Sequence, residues 1–300
     1  MNIRESHESP LGFDLFLIGV AIFGAVVAWL CARAGGAWLA LGAAALLGEM
    51  LLVYGSFIEP RRVVVLRYRE RMVSKPKTWV RIVFLSDVHA GGFKPASWFT
   101  KVAHVTQSLK PDIAILGGDY VVDHSGPIHD LDVFASLTAS IGKYYVMGNH
   151  DLVDMPQDIR AAVEAWGYEC IEHRMLQLSK DDRRFDLLGM ADPWFGNPSF
   201  IARTSRDIPH ILISHEPDML MDLVKGDTDV MISGHTHGGQ VRLPLIGALY
   251  PIPARLGRLV DQGRKVVNGI PCIISNGLGE SDGRLRLCAP PSILCIDVGI

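Results

Sequence analysis

Cysteine is scarce in this sequence, and the few cysteines are not spaced as pairs. There are 5 in 300 residues, and no two of them form a C-x-x-C motif. An odd number without paired spacing argues against a disulfide framework and against a thiolate zinc site, and it is typical of a reducing compartment.

An excess of charge of one sign is lacking as well. The net charge is −3, so the chain as a whole is not drawn toward nucleic acid, and any basic patch has to be local. Internal repeats and low-complexity tracts are also missing from the sequence. The length of 300 residues is compatible with two domains, or with one large α/β domain and an appendage.

Two long apolar runs stand near the start of the chain. They cover residues 15–31 and 37–58, and each is about long enough to cross the hydrocarbon core of a bilayer. We interpret them as a transmembrane hairpin in a segment of residues 1–60. The first run has an alternative interpretation as a cleaved signal peptide, because Ala32-Arg33-Ala34 resembles a cleavage site. In both cases everything after residue 58 is expected on the cytoplasmic side.

A basic cluster follows the second run, in a juxtamembrane segment of residues 61–80 that is also predicted to hold the first strand. The cluster consists of Arg61, Arg62, Arg67, Arg69, Arg71, Lys75 and Lys77. Lys and Arg beside a membrane span mark its cytoplasmic side and attract anionic lipid head groups. An RNA-binding surface would need interleaved aromatic residues, and Tyr68 stands alone.

From residue 81 to residue 300 the sequence has the alternation of short apolar strands and amphipathic helices that indicates a layered α/β domain. Helices are predicted to begin at Pro95 and Pro156, with a third at residues 131–139. The predicted strands are 81–86, 112–117, 143–147, 168–171, 185–190, 210–214, 229–233, 273–275 and 293–298.

Polar side chains follow directly after five of these strands. They are Asp87 and His89, Asp119, Asn149 and His150, His215, and His235 and His237. An isolated His-x-His in a glycine-rich loop faces solvent about as often as it binds a ligand. Five such sets are hard to explain by packing, which favours other residue types, and ligands bind at the carboxyl ends of strands in open α/β sheets.

The nitrogen and oxygen donors in this set suit two borderline-to-hard divalent ions. Two such ions about 3.5–4 Å apart, sharing a carboxylate, would clamp a phosphoryl group and lower the pKa of a water molecule between them. The sequence therefore predicts a dinuclear site with a nucleophile available at neutral pH.

In order and spacing, Asp87-x-His89, Gly118-Asp119, Gly148-Asn149-His150-Asp151, Ser214-His215 and Gly234-His235-x-His237 resemble the calcineurin-like metallophosphoesterase superfamily. The resemblance covers about residues 80–298. S-D-V-H, G-H-T-H-G-G-Q and S-N-G-L-G-E look like its membrane-associated phosphodiesterase branch, some members of which hydrolyse UDP-2,3-diacylglucosamine. The resemblance implies an α/β/β/α sandwich of two mixed sheets, here preceded by the transmembrane hairpin.

The resemblance also implies roles for the site residues. One ion would bind Asp87, His89 and His237, and the other Asn149, His215 and His235, with Asp119 bridging the two. Mn, Fe, Zn, Mg and Co all tolerate these donors.

His150 would protonate the leaving group, the alternative being a structural, hydrogen-bonded histidine. Asp151 and Asp123 are candidates to orient its ring. However, Asp123 lies four residues after Asp119, whereas an acid stands three residues after it in phosphatases of the superfamily.

The leading hypothesis is a membrane-anchored phosphodiesterase or pyrophosphatase, on the cytoplasmic side of a bacterial inner membrane. Its substrate would be a lipid or a lipid-linked nucleotide such as UDP-2,3-diacylglucosamine, because tethering raises the effective concentration of substrates on the same surface. The expected partners are the lipid surface and this substrate, with neither nucleic acid nor a protein partner inferred. An enzyme for soluble substrates and a non-catalytic scaffold are the alternatives.

Two loops near the predicted site carry further candidates. Trp194 and Phe195 are interpreted as core residues, with contact to an acyl chain or a base as the alternative. Lys94 is a candidate to bind a second phosphate.

Overall fold

Two long helices open the chain. In the computed structural model, which describes residues 10–122, 126–153, 156–203, 205–281 and 283–300, α1 spans Pro10–Ala34 and α2 spans Trp38–Val53. A π-helical turn, Tyr54–Ile58, and a 3-10 turn, Glu59–Arg61, continue α2. By length and composition both helices are able to cross a membrane. This confirms the two predicted apolar helices.

The two helices pack side by side along a glycine. A Cβ atom added to Gly24 of α1 would lie 1.8 Å from Oε1 of Glu49 on α2. Small residues at such positions let helix backbones approach closely. Gly24 therefore makes the room in which the Glu49 side chain lies.

Three further α-helices and several 3-10 helices lie in the rest of the described chain. The α-helices are α3 Ala96–Ser108, α4 Asn149–Val153 and α5 Pro156–Ala165. The 3-10 helices with four or more residues are Ile128–Ser136, Pro217–Met221 and Gly257–Val260. The predicted helix at 131–139 is thus a 3-10 helix that begins three residues earlier.

The strands, numbered in chain order, match the predicted ones closely where they are buried. β1 to β7 are Val64–Arg71, Trp79–Leu85, Ile113–Leu116, Gly142–Tyr145, Glu169–Cys170, Arg174–Lys180 and Arg183–Met190. β8 to β14 are His210–Ser214, Val230–Ser233, Arg242–Leu243, Gly247–Ala248, Gly263–Val267, Ile270–Ile274 and Ser292–Gly299. Neither β6 nor β12 was predicted, because their side chains alternate between partly buried and exposed positions.

The strands form two mixed six-stranded sheets, in the orders β1-β14-β2-β3-β4-β5 and β12-β13-β9-β8-β7-β6. In the first sheet β2 to β5 are parallel and β14 is antiparallel to β2. In the second sheet β13, β9, β8 and β7 are parallel, and both edge strands are antiparallel. β10 and β11 pair separately as a small hairpin. The predicted α/β fold with two mixed sheets is confirmed.

Apolar clusters hold the layers together. Between the two sheets, Phe84 of β2 and Ile213 of β8 belong to one cluster. The outer face of the first sheet packs against α3 and α5 through Phe99 and Val163. The outer face of the second sheet packs against 3-10 helices, for example through Leu220. Burying each of these side chains stabilises the fold by about 1.5–3 kcal/mol, so the sheet ends are rigid platforms for the loops that follow them.

Candidate metal centre

Five strand ends converge on one site. The carboxyl ends of β2, β3 and β4 lie together because these strands are parallel, and so do those of β8 and β9. The polar residues that follow these strands form three clusters of potential metal ligands. These are Asp87, His89 and His237; His89, Asp119 and His150; and Asp119, His215 and His235.

The first cluster has its ligand-type atoms at distances that one ion can span. His89 Nε2 lies 3.2 Å from His237 Nε2, and His237 Nε2 lies 3.6 Å from Asp87 Oδ1. Two ligands that are each about 2.1 Å from one ion cannot be more than about 4.2 Å apart. Both distances meet that condition.

The second set is arranged around Asp119. Its Oδ2 lies 3.2 Å from His215 Nε2 and 3.7 Å from His89 Nε2, so one carboxylate faces both sets. Asn149 Oδ1 lies 3.0 Å from His235 Nδ1, whereas His235 Nε2 faces the carbonyl oxygen of Pro253 at 2.5 Å. The structure thus brings all seven predicted ligand residues together.

The backbone at this site is strained. Asp87, His89, Asp119, His235 and His237 all have φ between 47° and 69°, a region that residues other than glycine rarely adopt. Such conformations cost about 1–3 kcal/mol each and cluster at functional sites. The residues with this unfavourable backbone conformation are the ones that carry the ligand-type side chains.

Glycines make room for the carboxylates. A Cβ atom on Gly148 would lie 2.1 Å from Asp119 Oδ1, and one on Gly234 would lie 2.5 Å from Asp87 Oδ2. Any side chain at either position would push a carboxylate out of place. This is why glycine stands beside the polar residues of both motifs.

Burial dominates the electrostatics of the first cluster. Burial raises the pKa of Asp87 to about 6 and lowers the pKa of His89 to about 3. The pKa of His237 is also well below its usual value, because burial disfavours the imidazolium form. Neutral imidazoles are the form of histidine that binds metal ions.

Charge attraction dominates beside Asp119. Burial alone would raise its pKa, but the neighbouring His215 and His150 hold the pKa of Asp119 well below its usual value. Burial would lower the pKa of His215, and Asp119 outweighs it and raises that pKa well above 6.5. The Asp119 carboxylate is therefore held in its ionised form, which is the form that binds a cation.

The arrangement of hydrogen bonds fits divalent metal ions. His215 Nδ1 lies 2.7 Å from the Gly117 carbonyl oxygen, and His237 Nδ1 lies 3.2 Å from that of Gly279. Each Nδ1–H can donate to its carbonyl, which leaves the Nε2 lone pair directed at the site. Such contacts commonly orient metal-binding histidines. A cation is the group that satisfies two facing Nε2 lone pairs and two carboxylates at once.

His150 lies at the mouth of the site. Its ring packs edge-to-face on His89, with 4.9 Å between the ring centroids, and its Nδ1 lies 3.1 Å from the Val122 carbonyl oxygen. Its backbone N–H donates to Asp119 Oδ1 over 3.0 Å. The ring is therefore within reach of a group bound beside the clusters. Asp123 lies outside the described residues.

The clusters open into a cavity of about 600 Å³. The cavity is lined by residues of the clusters, by the residues on either side of the β10–β11 hairpin, and by the start of α1. The lining side chains include Phe13, Phe16, Asp119, Asn149, His150, Trp194, His235, His237, Gln240, Val241, Tyr250, Pro251 and Leu285. The cavity is large enough for a substrate of several hundred daltons.

Comparison with known proteins identifies the family. The calcineurin-like phosphoesterase family matches residues 80–239, a range that includes all seven ligand-type residues. This chain belongs to the calcineurin-like phosphoesterases. It is accordingly a metal-dependent hydrolase of phosphoester bonds.

Two relatives of this calcineurin-like phosphoesterase carry informative names. The present chain is 29% identical to the phosphodiesterase YaeI of Escherichia coli over 82% of this chain and 92% of that protein. It is 24% identical to the UDP-2,3-diacylglucosamine pyrophosphatase LpxG of Chlamydia trachomatis over 80% of this chain and 91% of that protein. Among solved structures it is similar to an archaeal phosphodiesterase with a TM-score of 0.40 and 17% identity, covering 71% of this chain and 91% of that one.

Asp151 holds the backbone of this phosphoesterase's site in place. It is fully buried, and its carboxylate accepts hydrogen bonds from the N–H groups of Asp119, Tyr120 and Gly148 over 2.7, 2.8 and 2.9 Å. These contacts join the loops after β3 and β4. They hold the backbone that carries Asp119, a role that the sequence did not indicate.

A buried ionic network behind His237 was missed by the sequence analysis. Arg286 is fully buried, its Nε lies 3.1 Å from Glu280 Oε1, and its Nη2 lies 3.5 Å from His237 Nδ1. Arg286 also donates to the Gly279 carbonyl that faces His237. The late S-N-G-L-G-E motif contains Glu280 and was the only signal of this network in the sequence.

The prediction that Lys94 binds a second phosphate is wrong. Lys94 is buried, its Nζ lies 2.6 Å from Glu280 Oε1, and it donates to the Pro60 carbonyl. Burial lowers the pKa of Lys94 to about 8. Its ammonium group is therefore committed to an internal ion pair.

The interpretation of Trp194 and Phe195 as core residues is also wrong. They are 43% and 54% exposed, and the Trp194 ring lies edge-to-face on His235 with centroids 5.3 Å apart. Asp192 Oδ1 accepts the N–H groups of both residues over 2.9 Å. The loop thus presents an aromatic side chain to the cavity.

Proposed function

We propose that this chain is a dinuclear phosphodiesterase or pyrophosphatase that acts on a lipid or lipid-linked nucleotide at a membrane surface. The observation that carries the proposal is the convergence of seven ligand-type side chains, from five strand ends, on one site that opens into a cavity. The name of the relative LpxG supports a lipid-linked substrate. We propose UDP-2,3-diacylglucosamine as the first substrate to assay.

In this proposal Asp87, His89 and His237 would hold one divalent ion, and Asn149, His215 and His235 would hold the other. Asp119 would serve both, since its Oδ2 lies 3.7 Å from His89 Nε2 and 3.2 Å from His215 Nε2. When bound, such a pair stabilises negative charge on a phosphoryl oxygen and supplies a nucleophilic water at neutral pH. Manganese is our first choice of ion, and Fe, Zn, Mg and Co suit the same donors.

His150 would donate the proton that the leaving oxygen needs. We assign the proton transfer to the imidazole ring of His150, which lies against His89 and whose Nδ1 lies 3.1 Å from the Val122 carbonyl oxygen. A positioned acid of this kind contributes about 10²–10⁴-fold to a rate. The backbone N–H of His150 also donates a hydrogen bond to Asp119 Oδ1. The proposed acid is therefore held beside the metal ligands.

The proposed location is the cytoplasmic side of a bacterial inner membrane. Residues 1–60 would anchor the chain, residues 61–80 would lie beside the membrane, and residues 81–300 would form the catalytic domain. The seven basic residues from Arg61 to Lys77 are exposed, although four of them flank or belong to β1. Their exposure supports a role beside anionic head groups, where each contributes about 1 kcal/mol.

The test is turnover of UDP-2,3-diacylglucosamine in detergent micelles by the purified full chain with added manganese, beside cyclic nucleotides and phosphopeptides. We expect hydrolysis of the lipid substrate by the wild type and by Asp222→Ala, an exposed acid, and none by Asp119→Ala. Turnover of only the soluble substrates would assign the chain to the soluble-substrate alternative. Full activity of Asp119→Ala would overturn the dinuclear site.

A further inference from the structure

The cavity at the metal centre is lined by two chemically different groups of residues. One group consists of site residues such as Asn149 and His150, and the other includes Phe13 and Phe16 of α1 and Tyr250 beside the β10–β11 hairpin. Phe16 and Tyr250 are 60% and 64% exposed. Apolar side chains left open to a cavity favour an apolar ligand group there.

The start of α1 is fixed to the catalytic domain. Asp14 forms an ion pair with Arg284, whose guanidinium lies 5.8 Å from the ring centroid of Phe13 and 5.7 Å from that of Phe93. The Phe13 and Phe93 rings also contact each other, with 5.9 Å between centroids. As a result Phe13 is only 8% exposed. α1 is therefore part of the cavity wall and not a loose tether.

The end of the hairpin is joined to the same region. The Gly55 carbonyl accepts the N–H of Arg286 over 2.8 Å, and Glu59 Oε1 accepts the N–H of Ala289 over 2.7 Å. Both ends of the α1–α2 hairpin thus lie against the catalytic domain. Because the candidate span in α1 begins at Gly12, Phe13 and Phe16 belong to the first turns that would enter a bilayer.

The β10–β11 hairpin and the residues beside it supply a second apolar surface. Its tip carries Leu245 and Ile246, which are 108% and 57% exposed, and Leu249 and Tyr250 follow it at 49% and 64%. Adjacent exposed apolar side chains of this kind mark a surface that contacts lipid or another apolar partner. Val241 and Tyr250, on the two flanks of this hairpin, line the same cavity as Phe16.

From this geometry we propose that the start of α1 and the β10–β11 hairpin form a passage for the acyl chain of the substrate. The phosphate would lie beside the metal ligands while the chain leaves past Phe16 and Tyr250 directly into the bilayer. An amphiphilic phosphoester would then reach the site without its acyl chain crossing water. This inference rests on the proposed function and adds a role for the membrane helix in choosing the substrate.

The first test compares two substrates in detergent micelles, a long-chain lipid phosphodiester and the soluble bis(p-nitrophenyl) phosphate. Phe16→Ala and Tyr250→Ala are expected to lower the ratio of lipid to soluble kcat/KM by roughly tenfold, as expected for removing one ring from an apolar contact. Phe23→Ala is the matched control, because Phe23 is 71% exposed on the same helix and lies outside the cavity lining. An unchanged ratio in both test variants overturns the passage.

The second test does not depend on turnover. The full chain in micelles is photolabelled with a phosphatidic acid that carries a diazirine in one acyl chain, and the labelled peptides are mapped by mass spectrometry. The passage predicts label in residues 12–17 and 241–250, with residues 18–30 as the reference for the surrounding detergent belt. Label confined to the reference residues overturns the passage. If the wild type cleaves the soluble diester but no lipid, the lipid part of the proposed function fails, and this labelling still decides the passage.

Discussion

Replacing His150 with alanine tests how a proton reaches the leaving group. The change removes the imidazole ring but keeps the backbone N–H that donates to Asp119 Oδ1 over 3.0 Å, so the metal ligands should keep their places. A general acid contributes at least about 100-fold, which corresponds to about 2.7 kcal/mol of transition-state stabilisation. We therefore expect kcat for a phosphodiester with an alkoxide leaving group to fall about 100-fold.

The assay compares that alkyl phosphodiester with a p-nitrophenyl phosphodiester, whose leaving group departs without a proton. The His150→Ala variant should retain most of its activity on the p-nitrophenyl compound and bind the same amount of metal as the wild type. His129→Ala is the control, because the His129 side chain is 87% exposed. Equal losses on both compounds, or full activity on the alkyl compound, would refute the assignment of His150 as the acid.

Two of the three further predictions concern residues that support the site, and the third concerns a buried histidine at the start of β8. Asp151→Ala leaves three buried N–H donors without a partner and should lower the free energy of unfolding by on the order of 3 kcal/mol, measured by urea unfolding in detergent. Gly148→Ala forces a Cβ to within 2.1 Å of Asp119 Oδ1 and should lower kcat/KM about 100-fold, whereas Gly48→Ala, with nothing within 4 Å, should not. Burial lowers the pKa of His210 to about 4 from 6.5, so the unfolded chain binds the proton first as the pH falls. The wild type should therefore lose up to about 3 kcal/mol of stability relative to His210→Gln between pH 6.5 and pH 4, and parallel stability curves would contradict this.

The central strands were predictable because they are buried on both faces. β3, β8 and β9 are buried along their whole length, and such strands read as continuous apolar runs in the sequence. The edge strands β6 and β12 were not predicted, because half of their side chains face outward and the apolar signal is diluted. The pattern at residues 131–139 predicted a helix with the wrong bounds and type, because the chain there forms the 3-10 helix Ile128–Ser136.

The metal-centre residues were predictable for a different reason. A polar residue directly after a buried strand has no packing role, so Asp87, Asp119 and His215 stood out. Arg286 and Glu280 did not, because Arg286 approaches His237 only across 49 residues of chain and Glu280 pairs with Arg286. Asp151 was noticed beside His150, but its bonds to the backbone around Asp119 are visible only in three dimensions.

The role of α1 could not be predicted from the sequence. An apolar run of this length predicts a membrane anchor, and nothing in the run indicates contact with a catalytic cavity. That contact depends on Arg284, which lies 270 residues from its ion-pair partner Asp14. Long-range pairs of this kind leave no local pattern in a sequence.

The central claim is that Asp119 and its neighbours hold two divalent ions. The most direct measurement is the metal content of the full chain, purified in detergent, loaded with manganese and freed of excess metal, by inductively coupled plasma mass spectrometry. We predict two ions per chain in the wild type and fewer than one in Asp119→Ala, with hydrolysis lost on chelation and restored by manganese. A fully active wild type with one ion or none per chain would contradict the claim.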